Sequence, residues 1–138
     1  MSTIHKLLDP REGWVIFTAQ NPDGKKVSDE RNADLHNHPI QDLDLLRCSY
    51  DIVHGCYNGN NETSVIIWLT EPASRVFAAS LAKKYYQESV LTPEGLVYQD
   101  GTCNPTTEIA FPYATPEDNY SILGSTIFQC RINFEKKI

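Results

Sequence analysis

Two unbroken apolar runs, WVIFTA at residues 14–19 and SVIIWL at residues 64–69, constrain this chain more than any other feature. A strand with one wet face alternates apolar and polar residues, whereas a continuous run of strand-forming residues marks a strand covered on both faces. Any fold for this chain must therefore keep two strands central and supply apolar cover above and below them.

The segments around these runs set the order of elements. After the first run, Asn21-Pro22-Asp23-Gly24 predicts a turn. Ser28 is a good helix N-cap, with Asp29 and Glu30 in the first turn where acids favour the dipole. That helix is expected to stop before Pro39, and residues 40–46 to extend the helical layer. CSYDIVHGC then alternates, with Cys48, Tyr50, Ile52, His54 and Cys56 on one face. NGNN at residues 58–61 predicts a hairpin into the second apolar run. Thr70 and Pro72 open a helix whose expected apolar stripe is Ala73, Val76, Phe77, Leu81 and Tyr85. ESVLT and LVYQD read as short strands, and TIFQCRINF alternates with Thr126, Phe128, Cys130, Ile132 and Phe134 on its apolar face. The order β-α-β-β-α-β predicts an α+β domain over residues 1–138. Its antiparallel sheet would have a split βαβ (ferredoxin-like) core, two helices on one face and extra C-terminal strands.

Charge and composition narrow the function. The net charge is −6, and the six acids between Tyr85 and Cys130, a span with no Lys or Arg, equal all of it. Such a surface argues against nucleic acid, whose phosphates need Lys and Arg, and fits a basic protein partner. No apolar stretch suits a signal peptide or membrane span, so the expected location is the cytoplasm with no membrane contact. The four cysteines show no C-x-x-C pair and read as small buried hydrophobes. The sequons at Asn61 and Asn119 are then chance occurrences.

The polar motifs are mostly negative evidence. A phosphate cradle needs glycines whose amides converge, but residues 21–30 offer one Gly, a Pro without an amide hydrogen, and repelling acids. His36-Asn37-His38 is read as two exposed histidines rather than a metal pair, and Asp42 and Asp44 as a solvated surface. Cys48 and Cys56 would be about 26 Å apart in a straight strand at roughly 3.3 Å per residue, too far to share a metal with these histidines. His54 lacks a recognisable nucleophile, although Glu62 across the hairpin is placed to orient it. Residues 101–120 read as a long irregular connection carrying Phe111, Tyr113 and Tyr120 among the acids Glu108, Glu117 and Asp118, a composition suited to protein binding.

TAQNP after a buried strand, Asn32 in the following helix, HGCYNGNNETSVII and AASLAKKYYQESVL together resemble a small bacterial and phage domain family of unknown function. The matching positions are Asn21, Pro22, Asn32, Gly55, Glu62, Ser64 and Gln87, within about residues 14–98. The family has no assigned chemistry, so the resemblance implies a polar site but no reaction. The long segment at 101–120 departs from its pattern.

Two functions are thus expected, the first preferred. One is a non-enzymatic phage or bacterial regulator or inhibitor that docks Glu108, Phe111, Tyr113, Glu117, Asp118 and Tyr120 on a basic protein. The other is a nucleotide-like ligand-binding or hydrolytic domain built on Asn21, Asn32, His54, Glu62 and Gln87. Neither calls for a cofactor or a metal, and both are compatible with a homo-oligomer.

Overall fold

A computed structural model describes residues 3–9, 12–57, 59–113 and 119–138. The strands are β1 (Gly13–Phe17), β2 (Tyr50–Tyr57), β3 (Asn60–Leu69), β4 (Ser89–Leu91), β5 (Gly95–Tyr98), β6 (Cys103–Ala110), β7 (Tyr120–Leu123) and β8 (Thr126–Ile132). The helices are α1 (Thr3–Leu8), α2 (Asp29–Leu46) and α3 (Arg75–Lys84), with a 3-10 turn at Pro22–Gly24. The strands close into one antiparallel barrel in the order β1-β3-β2-β7-β8-β6-β5-β4, and β4 returns to β1 through the pair Ile16↔Leu91.

This corrects the expected α+β ferredoxin-like sheet. β1 and β3 are indeed adjacent and covered on both sides, but one of those sides is the inside of a barrel. The C-terminal strands are not appended to an open sheet. β7 bonds to the free side of β2 and β5 to β4, and β8 and β6 bridge the gap. Closure was hidden by β6, whose sequence CNPTTEIA has Pro105, a run of polar residues and a register shift between Thr106 and Glu108. It lacks strand alternation and is held extended by its neighbours β5 and β8, a tertiary effect that local pattern does not carry. Residues 103–110 therefore belong to the wall, not to an irregular connection.

The register divides the apolar side chains into two layers. Ile16 faces Ile66 and Val15 faces Ile67 across β1 and β3, so even and odd positions point to opposite sides. Trp14, Ile16, Val53, Ile66, Leu123 and Phe128, drawn from strands around the wall, form the barrel interior. Leu7 of α1 completes this cluster, and the Trp14 indole N–H donates to the Leu7 carbonyl at 3.0 Å. Outside, Val15, Phe17, Val65, Ile67, Val90 and Val97 pack against Leu43 of α2 and the alanines of α3.

Two helix expectations are also revised. α2 runs through Pro39 to Leu46; the proline lacks an amide hydrogen, but its ring and Leu43 are buried against the barrel. In α3, Ser74 caps the helix, and the buried stripe is Ala78, Ala79 and Ala82, rotated from the expected one. Val76 is exposed. Small residues on that stripe let the helix backbone approach the sheet closely, which larger side chains would prevent. Ser28 caps α2 as expected, its hydroxyl accepting from the Arg31 amide at 3.1 Å. Among the described residues no helix is long and apolar enough to cross a membrane.

Phe128→Ala is expected to cost about 3–5 kcal/mol because a filled barrel centre collapses poorly around a void. Val76→Ala is expected to change stability by less than about 0.5 kcal/mol. Urea unfolding of both variants checks the rotated α3 stripe; equal losses would contradict it.

Candidate functional site

The chain leaving β1 is tied down by amide side chains. The Thr18 hydroxyl donates to the Thr63 carbonyl at 2.9 Å, and Gln20 Oε1 accepts from the Thr63 amide at 2.7 Å, fixing the segment to β3. Asn21 then turns left-handed, with φ of 48°, a conformation Asn adopts more readily than most residues. Its Oδ1 accepts from the Val27 amide at 3.2 Å and from Asn32 Nδ2 at 3.0 Å, while its own amide donates to Asn32 Oδ1 at 2.9 Å. Asn21 Nδ2 donates to Glu62 Oε2 at 3.2 Å. From the end of α3, Gln87 Nε2 donates to the Gln20 carbonyl at 2.9 Å.

Asn21, Asn32, Glu62 and Gln87 are thus joined in one network, with Gln20 as a member the sequence reasoning missed. Its signal was slight, since Gln20 is simply the first polar residue after the run at 14–19. The amides of this network are spent on one another and on the backbone, so they act as a frame. His54 lies outside it on β2, exposed, opposite Thr63 and Ile122.

Two clefts flank the frame. One, of about 340 Å³, is lined by His54, Gly55, Asn61, Glu62, Thr63, Tyr120 and Ile122. A Cβ at Gly55 would collide with the Tyr57 ring folded over it, so a larger residue there would have to displace that ring. The Tyr57 and Ser121 hydroxyls are hydrogen-bonded, and burial pushes the Tyr57 pKa up to about 12. Burial also raises the Glu62 pKa, opposed by the hydrogen bond from Asn21. His36 of α2 has a buried Nδ1 without a hydrogen-bond partner, and its pKa is lowered by burial and then by the nearby His54. Among the described residues, no hydroxyl or thiol is hydrogen-bonded to His54.

The other cleft, of about 300 Å³, lies between the 3-10 turn, α2 and the end of α3. Ala19, Pro22, Leu35 and Tyr85 give it apolar surface, and Asp23, Arg31, His38, Lys84 and Tyr86 complete the lining. Tyr85 is held on several sides. Its ring stacks on Phe17 at 5.1 Å, its hydroxyl donates to Asp42 Oδ2 at 2.9 Å, and Lys84 lies 5.5 Å from its centroid. Lys84 also pairs with Asp42 at 3.2 Å. The Tyr85 hydroxyl's pKa is raised by burial and then by Asp42. Asp23 and Tyr86 both have positive φ, 59° and 56°, and the Asp23 amide donates to the Tyr86 carbonyl at 2.7 Å. With Asn21, three of the four left-handed non-glycine residues among those described gather at this rim. Such conformations persist where surrounding structure enforces them, often around ligand sites.

The remaining candidates disperse. His36 lies near His54, while His38 lines the second cleft, so the two do not form a pair. Asp44 accepts from the Tyr50 hydroxyl at 2.8 Å, and Asp42 is engaged by Tyr85 and Lys84. No cluster of three His, Cys, Asp or Glu residues suited to a metal occurs among the described residues. Glu108 pairs with Arg131 at 3.1 Å, Phe111 packs against the barrel interior, Tyr113 is exposed, and Tyr120 lines the His54 cleft. Glu117 and Asp118 lie outside the described residues. A scan against models of known protein families finds no match to the chain, and a search of curated proteins likewise finds none.

Glu62→Gln keeps an oxygen acceptor for Asn21 and removes a half-buried carboxylate. Because the folded state holds the Glu62 proton more tightly than the unfolded chain, this group's contribution to stability falls as pH rises through the folded pKa. The variant is expected to melt at or above wild type near neutral pH, with the gap closing toward pH 4.5, the ordinary carboxyl value. Melting curves across that range test it; a gap that widens on acidification would show that burial is not the dominant influence.

Proposed function

We propose that the protein is a small-ligand-binding domain whose site is the cleft between α2 and the end of α3. The observation that carries this reading is the immobilised Tyr85, stacked on Phe17 and tied to Asp42, beside a rim of three left-handed residues braced by the amide frame. A surface fixed before the ligand arrives loses little entropy on binding. The volume of about 300 Å³ suits a small molecule.

Binding rather than turnover is the better supported activity. Glu62 is committed to Asn21, and His54 has no nucleophile bonded to it among the described residues. Docking of residues 101–120 on a basic partner has less support, because Glu108 is ion-paired within the chain to Arg131.

A thermal-shift panel of small aromatic compounds, nucleosides and nucleotides, run on wild type and Leu35→Trp, tests the reading. A ligand of the folded state raises the melting temperature, and filling the cleft with a larger side chain removes the shift. Equal shifts in both proteins, or no shift with any compound, would refute the site.

A further inference from the structure

Resting on that reading, the charges around the cleft specify what the ligand carries. Lys84 is already neutralised by Asp42 at 3.2 Å, and His38 adds its influence to the same carboxylate. Arg31 is exposed, lines the cleft and is ion-paired to no carboxylate among the described residues. At the start of α2 the Arg31 amide is already taken by the Ser28 hydroxyl. Arg31 is therefore the arginine or lysine of the lining with no carboxylate partner among the described residues, in a chain of net charge −6.

The counter-charges limit the anion. Asp23 stands on the lining, so a group with two or more negative charges meets a carboxylate there as well as the one guanidinium. A carboxylate carries one charge and matches the planar guanidinium with two parallel hydrogen bonds. The remainder of the lining, Leu35, Tyr85 and Tyr86 with Ala19 and Pro22, offers apolar and aromatic surface to a flat body.

We propose that the cleft takes a small aromatic carboxylate, its ring against Leu35 and the two tyrosines and its carboxylate on Arg31. The interaction is non-covalent, and no bond is made or broken.

Calorimetric titrations with indole-3-acetate, indole-3-acetamide, adenosine monophosphate and adenosine triphosphate test the class. On wild type, the acetate is expected to bind on the order of tenfold or more tightly than the uncharged acetamide, as a charge-assisted pair contributes. Arg31→Gln is expected to abolish that preference and to weaken acetamide binding far less than acetate binding. Arg31 is exposed, so the variant should melt with wild type, which confirms that it is folded. Equal affinity for acetate and acetamide on wild type, with both lost in Leu35→Trp, would overturn the carboxylate assignment while leaving the cleft as a binding site. Tighter binding of either nucleotide would overturn it in favour of phosphate. Failure of both indole compounds to bind overturns it too, and only a silent thermal-shift panel extends that failure to the cleft itself.

Discussion

The antiparallel pairing of β1 with β3 is the constraint on which the rest of the molecule depends. Its register sends Trp14, Ile16 and Ile66 into the barrel and Val15, Phe17, Val65 and Ile67 toward the helices. A slip of one residue would exchange the two sets, placing the indole of Trp14 under α3 and short of its acceptor at Leu7. Both layers are thus specified together, and β3 passes the same alternation on to β2, where Val53 points inward and His54 outward.

From this pair the candidate site follows by short steps. Thr18 and Gln20 prolong β1 beyond its last ladder bond and clasp Thr63 of β3. Asn21 reverses the chain and is satisfied by α2 on one side and Glu62 on the other. The end of α3 is drawn in by Gln87, which brings Tyr85 and Tyr86 opposite Leu35. The cleft is what remains between two helices whose positions are set by the same sheet, with polar side chains used as ties and aromatic ones as surface.

How far the sequence revealed this differs by element. The two apolar runs marked β1 and β3 because burial on both faces leaves a one-dimensional trace. The hairpin from β2 to β3 and the caps at Ser28 and Ser74 were likewise open to local chemistry, although at α3 Thr70 and Pro72 drew the eye instead of Ser74. Closure was not legible: strand order is a long-range property, and β6 is held by β5 and β8 despite Pro105 and its polar run. α1 left little pattern because it spans six residues and contributes one buried leucine. Asn21, Asn32, Glu62 and Gln87 were marked by the resemblance to a family's motifs, and hydrogen bonds join them, directly or through Gln20, while His54, named with them, stays outside. Their task as a frame, and the cleft beside them formed by Arg31, Tyr85 and Tyr86, required knowing how α2 and α3 lie on the barrel.

Closure of the wall has a consequence for assembly. An open sheet ends in strands with unpaired amides and carbonyls, a template on which another chain adds a strand or a fibril grows. Here each described strand has a hydrogen-bonded neighbour on either side, even where, as between Ile16 and Leu91, the join is a single pair. Pairing is partial along some strands, with β2 meeting β7 only from His54 to Cys56, so closure shortens the run of rungs open to a second chain rather than removing it.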